Sequence, residues 1–210
     1  RRLAKKVFSK IGDKPLLLFI IERIQNNSNF NLPLIVTTSK NKSDDKIYKF
    51  CKDNKIKVFR GDLNNVFKRS KDCFIKYKLK SFIRVCADRP FFDVKLMDRM
   101  INKFINSDFD IITNQFPRTF PKGLSCEISK IQIFLNINDK KLTKSKKEHI
   151  FNYFYNNSKN YKILNFKLKK NIKKATNLDF SVNNKNDLTK INKLYYKYKN
   201  RKYIDILNTL

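Results

Sequence analysis

Tryptophan is absent from this chain of 210 residues, glycine occurs three times and histidine once. The lone histidine, His149, excludes a His-rich metal centre, and any Ser-His-Asp triad would have to be built around that one ring. Four cysteines, Cys51, Cys73, Cys86 and Cys126, stand far apart with no Cys-x-x-Cys or Cys/His pattern. That spacing excludes a zinc site and reads as reduced thiols of a cytosolic, cytoplasmic protein. Long apolar runs are missing as well: Leu16 to Ile21 is six residues, against roughly 20 for a membrane helix. The first residues do not read as a signal peptide. The chain begins on Arg1 rather than Met, and an upstream piece is expected to be missing.

Acidic residues are scarce: 18 Asp and Glu face 48 Lys and Arg, giving a net charge of +30. Such a charge is the footprint of a polyanion binder. Its distribution argues against that use. Lysine supplies 38 of the cations and is spread along the chain, while arginine, which grips phosphates bidentately, occurs ten times. Low glycine, three alanines and abundant Lys, Asn, Ile, Phe and Tyr fit the product of an AT-rich genome. The composition therefore implies high solubility, with no specific nucleic-acid partner and no membrane partner.

The length suits one domain, residues 1–210, and no linker divides it. Short β-branched or aromatic segments at 32–39, 57–61, 81–87, 109–114, 124–129, 161–167 and 178–182 predict strands. Helical spacing occupies 14–26, 44–54, 64–78, 94–106, 145–157 and 185–198, with Pro15 in a first turn. Ser145 and Glu148 form a capping-box pattern that predicts a helix start near residue 146. Strands alternating with helices imply an α/β fold, a mostly parallel mixed sheet flanked by helices on both faces.

In such sheets ligands bind beyond the carboxyl ends of the strands. The apolar segment SFIRVCA runs straight into Asp88, which there can hold Mg²⁺ against a triphosphate or simply cap a turn. Thr37, Thr38 and Ser39 end another strand with hydroxyls suited to a nucleotide or to a turn. Gly123 sits in a tight connection, and Glu127 faces either a polar ligand or solvent. His149 follows Glu148 at a helix start, as a surface residue or a catalyst.

Seven stretches in order resemble the cytidylyltransferase family that makes CMP-activated acidic sugars, in particular its spore-coat polysaccharide branch. They are RRLAKKVFSKIGDKPLL, IVTTSK, KVFRGDLNNVFKR, IRVCADRPFFD, NQFPRTFPKGLSCEI, SKKEHI and FSVNNKNDL. The resemblance covers nearly the whole chain and implies a Rossmann-like nucleotidyltransferase. Its Mg²⁺ would hold the CTP phosphates while an anomeric hydroxyl of a 2-keto-3-deoxy sugar acid attacks the α-phosphorus and releases pyrophosphate. By the family pattern Arg2 and Lys6 fall on phosphate-binding positions, Thr38 and Ser39 on the nucleotide side, and Asp88 on the metal. Arg118, Glu127, Glu148 and His149 fall on the sugar-binding side. Homodimers are common in that family.

Departures from the pattern are specific. The family's first strand and the start of its nucleotide loop are expected to be missing before Arg1, and Ala4 and Lys5 replace a Pro-Gly pair. Ala87 stands for a glycine, Ser125 for an aspartate and Asn183 for the second metal-binding aspartate, with Asp179 and Asp187 near enough in sequence to substitute. An amide offers an oxygen without charge and weakens Mg²⁺ binding. The alternatives are therefore a catalytically degenerate homologue that binds nucleotide or a partner, and a non-specific nucleic-acid binder.

Overall fold

A computed structural model describes residues 6–168, 175–200 and 205–209. Two short strands, β1 (Lys10–Ile11) and β2 (Lys14–Pro15), form an antiparallel hairpin that the periodicity did not reveal. Gly12 turns it with φ near +61°, where a side chain would be strained. Helix α1 (Leu16–Asn27) follows, with Pro15 as its N-cap residue. Then come β3 (Ile35–Ser39), α2 (Asp45–Asp53), β4 (Lys57–Gly61), α3 (Val66–Lys76) and β5 (Ser81–Arg84). Next are α4 (Val94–Ile105), β6 (Ile111–Thr113), β7 (Glu127–Lys130) and α5 (Gln132–Leu135). The chain continues with α6 (Lys144–Glu148), α7 (Asn152–Asn156), β8 (Ile163–Asn165) and α8 (Lys185–Tyr198).

The expected mostly parallel sheet is instead three small ones. β3 and β4 pair in parallel, and a four-stranded sheet runs in the order β5, β7, β6, β8. β7 is antiparallel to both neighbours, while β6 and β8 are parallel. The cause is the connection: residues 114–126 return from β6 to β7 without a crossover helix, and a direct return gives an antiparallel pair.

Helices do cover both faces of that sheet. Successive side chains of a strand point to opposite sides. Ile83, Ile112, Ile128 and Leu164 pack with Leu16 and Ile20 of α1, Met97 and Met100 of α4 and Ile191 of α8. Phe82, Ile111 and Ile163 turn the other way, onto Phe67 and Phe74 of α3, Phe134 of α5 and Phe154 of α7. Phe134 is fully buried, its ring 4.5 Å from that of Phe154 and 5.1 Å from those of Phe67 and Phe82. A third apolar cluster joins Leu17 and Ile21 of α1 to Cys51 of α2 and to Val36 and Val58 of the parallel pair.

Two predicted elements change. The helix over 145–157 is broken into α6 and α7, and Thr143, not Ser145, caps it by accepting from Lys146 N–H. Glu148 is therefore the last residue of α6 and closes no capping box. Residues 178–182 are extended without forming a strand, because their hydrogen bonds go to two partners in succession. Lys122 exchanges bonds with Leu178 and Phe180, and Val182 N–H donates to the Asp88 carbonyl.

Candidate active site

Asp88 lies four residues beyond the end of β5, and the Val182 N–H bond brings Asn183 alongside it in the backbone. Lys6, from the 3-10 turn Lys6–Phe8, places Nζ 2.6 Å from Asp88 Oδ2. Arg89 Nε stands 3.9 Å from Oδ1 of the same carboxylate, and Arg89 Nη1 donates to the Ser125 carbonyl at 3.2 Å. One carboxylate is thus flanked by two cations, none of the three being deeply buried.

A polar row crosses the four-stranded sheet next to this point. The register aligns Arg84 of β5 with Glu127 of β7, Glu127 with Thr113 of β6, and Thr113 with Asn165 of β8. Glu127 is buried, and both its oxygens are held: Oε2 accepts from Arg84 Nη1 at 3.0 Å and Oε1 from the Tyr155 hydroxyl at 2.8 Å. Thr113 Oγ1 lies 2.8 Å from the same phenol and accepts from Gln115 N–H. Burial pushes the Tyr155 pKa up, and the Glu127 charge adds to the shift, so the phenol keeps its proton and donates. Burial works against the charge of Arg84, but the neighbouring Cys86 and Glu127 outweigh it and its pKa is raised.

The loop after β6 arranges the rim. Phe116, before a cis Pro117, stacks on Tyr155 with ring centroids 4.7 Å apart. Asn165 accepts from Phe116 N–H and donates to the Pro117 carbonyl. Arg118 Nη2 donates to Gln115 Oε1 at 2.6 Å. Its pKa is lowered by burial and then by the positive charge of Arg89, with Glu127 and Asp179 opposing. Arg84, Arg89 and Arg118, three of the chain's ten arginines, therefore gather around Ser125 and Glu127.

The other sequence-identified residues fall as follows. Arg2 lies outside the described residues. Thr38 and Ser39 are buried, and both hydroxyls donate to Asp44 Oδ2, which makes them the turn the sequence also allowed. Burial raises the pKa of Asp44, but the bonds from Ser39 and Thr38 outweigh it and the net shift is downward. Glu148 and His149 are exposed at the end of α6, which packs on α3. Nothing joins them to the Asp88 or Glu127 groups among the described residues. The sequence reading missed Arg84, Arg89, Tyr155 and Thr113. Strand alternation through SFIR would have placed Arg84 on the face of Phe82, but its pairing with Glu127 depends on long-range register.

A divalent cation would find one charged oxygen pair, on Asp88, and the neutral carbonyl oxygen of Asn183, whose Nδ2 donates to Ser181 Oγ. The proposed substitutes are spent elsewhere. Asp179 Oδ1 accepts from Ser181 N–H, and Asp187 Oδ2 accepts from Asn183 and Asn184 N–H as part of the α8 capping box. Among the described residues no group of three His, Cys, Asp or Glu can hold a metal. Magnesium commonly uses one or two carboxylates plus substrate phosphates. The donor set fits an ion shared with phosphates rather than a protein cage.

The chain is thus an α/β sheet covered on both faces, with charged groups gathered beyond the end of β5. The cytidylyltransferase family model matches residues 1–206, and the chain belongs to that family. An uncharacterized protein of Methanocaldococcus jannaschii is 26% identical over 163 residues, 78% of this chain and 65% of that protein. The chain thus spans just under two thirds of that relative. Spore coat polysaccharide biosynthesis protein SpsF of Bacillus subtilis is 26% identical over 202 residues, covering 93% of this chain and 82% of SpsF.

Solved structures agree on the fold. A cytidylyltransferase from Leptospira borgpetersenii superposes with a TM-score of 0.81 at 23% identity, covering 97% of this chain and 94% of that one. A CMP:2-keto-3-deoxy-manno-octonic acid synthetase complexed with CTP gives 0.67 at 12% identity, covering 93% of each chain. No helix among the described residues is long and apolar enough to cross a membrane.

Proposed function

We propose that the protein transfers CMP from CTP to a sugar acid of the 2-keto-3-deoxy type, releasing pyrophosphate, in the synthesis of a surface polysaccharide. The observation that carries this reading is the juxtaposition at Asp88: a carboxylate flanked by Lys6 and Arg89, beside an arginine-rich face, in a cytidylyltransferase chain. The SpsF relationship supports the polysaccharide setting. In the transfer, the acceptor hydroxyl oxygen forms a bond to the α-phosphorus and gives up its proton. The bond from the α-phosphorus to the bridging oxygen breaks, and pyrophosphate leaves.

The chain's own residues supply charge and position for that step. Lys6 neutralises the triphosphate, and with it Arg2 by the family pattern. Asp88, with the Asn183 carbonyl, would hold a Mg²⁺ ion arriving with CTP, and that ion would offset charge on the phosphates. Arg118 faces the acidic acceptor, while Glu127 fixes Arg84 and Tyr155 rather than touching the sugar. Thr38 and Ser39 shape the turn after β3, beside the nucleotide. Glu148 and His149, exposed on α6, reach the acceptor only if that segment moves, and their assignment to the sugar side rests on the family pattern alone.

Pyrophosphate release with CTP, Mg²⁺ and a panel of 2-keto-3-deoxy sugar acids tests the proposal. Release should require CTP together with one acid, and Asp88→Asn should cut it at least about a hundredfold. No release with any acid, and no CTP-induced rise in melting temperature, would sink it. Asn183, exposed and uncharged where a second carboxylate would strengthen the metal, favours one other reading, a homologue that binds CTP without turnover. A melting shift with CTP but no pyrophosphate would select it.

A further inference from the structure

Lys6 is held in place from the far end of the chain. Its 3-10 turn is three residues long, buries no side chain and is closed by the bond from Ser9 N–H to the Lys6 carbonyl. The Ser9 carbonyl in turn accepts from Leu16 N–H, which ties the turn to the base of the β1–β2 hairpin. A hairpin with two residues in each strand has little stability of its own. Within it Lys10 stands opposite Pro15, which has no N–H to offer. Asn192 of α8, 180 residues beyond Gly12, serves both open groups: Nδ2 donates to the Lys10 carbonyl at 3.0 Å, and Oδ1 accepts from Gly12 N–H at 2.9 Å. Nδ2 also donates to the Leu188 carbonyl, which fixes the amide on its own helix. Tyr195, one turn further along α8, lies so close to Gly12 that a Cβ there would come within 2.5 Å of its ring.

We propose that Asn192 is a positioning residue for the nucleotide: through the hairpin it sets Lys6 against Asp88. The inference rests on the reading of Lys6 as a triphosphate-binding group. The same helix reaches the other member of the pair, because α8 opens just after Val182, whose N–H donates to the Asp88 carbonyl at 2.8 Å. The contacts close a ring. It runs from α8 to the hairpin through Asn192, from the hairpin to the Lys6 turn through Ser9, across the 2.6 Å Lys6–Asp88 pair, and back to α8 through Val182. Val7, packed with Leu17 and Ile21, and Phe8, edge-on to Phe50, also seat the turn. Such packing is non-directional, whereas two hydrogen bonds to one amide set where the hairpin sits. A misplacement of about 1 Å far from the chemistry is enough to weaken a site of this kind.

A double-mutant cycle on the full chain tests this, with CTP and Mg²⁺ titrated by calorimetry into wild type, Lys6→Ala, Asn192→Leu and the double variant. Lys6→Ala should weaken CTP at least about tenfold and Asn192→Leu about fivefold. The double variant should lose no more than about twofold beyond Lys6→Ala, because Asn192 then has nothing left to position. Asn192→Asp keeps an acceptor for Gly12 but no donor for Lys10, so it should fall between wild type and Asn192→Leu. It also carries the cycle if the leucine variant does not fold. A merely structural asparagine would lower the melting temperature and leave the two losses of CTP affinity additive, which would overturn the proposal. Wild-type CTP affinity in Asn192→Leu, with Lys6→Ala impaired, would overturn it too while the nucleotide reading stands. If wild type never binds CTP, or Lys6→Ala binds it as well as wild type, the nucleotide reading of Lys6 fails and takes this inference with it.

Discussion

The Tyr155 hydroxyl donates a 2.8 Å hydrogen bond to Glu127 Oε1, joining α7 to the middle of the four-stranded sheet. Thr113 reaches the same phenol from the adjacent strand, and Arg84 holds the other Glu127 oxygen from the strand on the far side. The network satisfies a buried carboxylate without a ligand. Removing one member leaves a charged acceptor unpaired, which costs more than the lost bond alone. Tyr155→Phe should lower stability by about 1–3 kcal/mol in urea unfolding. It should also disturb acceptor binding more than CTP binding, since the lost hydroxyl frees Glu127, which positions Arg84. A variant as stable as wild type would show that Glu127 finds another donor.

Gly123 lies in the 114–126 loop, packed against the segment that runs on to Val182 beside Asp88. Its φ is near +90°, and a Cβ there would come within 2.6 Å of the Phe180 backbone carbon. Neither obstacle yields easily, because the nearest atom is backbone. Gly123→Ala should cost about 1–3 kcal/mol. It should also impair pyrophosphate release beyond what lost stability explains, since the loop carries Ser125 and leads into Glu127 of β7. Thermal melting paired with activity measured well below the midpoint separates the two effects.

Much of this was legible from the sequence, and the rest fails for identifiable reasons. β4 at Lys57–Gly61 and α8 at Lys185–Tyr198 fall where periodicity places them, because each is a local pattern, α8 opening on its own capping box. The helix over 145–157 breaks because Thr143 supplies the cap and Asn152 N–H turns back to the His149 carbonyl. Asp88 stood out as a candidate because it follows the apolar segment SFIRVCA, and it lies four residues beyond the end of β5. The partners of Glu127 were not, because Arg84, Thr113 and Tyr155 come from separate elements and meet only through strand register. The antiparallel insertion of β7 was hidden for the same reason.

Asp44 accepts from Thr38 and Ser39, and although burial opposes its charge, those bonds hold its pKa below the ordinary 3.8. A carboxyl whose folded pKa is depressed adds stability that is fully present above the unfolded value and is lost as pH falls through the folded one. Asp44→Asn should therefore be less stable than wild type by a constant margin from pH 7 down to about 5. Below the unfolded value of 3.8 that margin should shrink. Urea unfolding of both proteins across pH 3–7 checks this, and a gap that widened toward acid would contradict the bonding seen here.

Asn183 and Asp88 make the last test the most specific to this chain. The Val182 N–H to Asp88 carbonyl bond keeps the two residues adjacent, and Asn183 is exposed, so a carboxylate there needs no repacking. Asn183→Asp adds a second anionic oxygen donor beside Asp88, and two carboxylates hold Mg²⁺ better than one. The Mg²⁺ concentration giving half-maximal CTP affinity in calorimetry should fall about tenfold. Melting temperature without Mg²⁺ should hold or drop slightly, as the new charge would stand near that of Asp88, with Lys6 and Arg89 partly offsetting the pair. If the Mg²⁺ requirement does not change, the ion is held by the triphosphate away from residue 183, and Asp88 acts through Lys6 rather than through the metal.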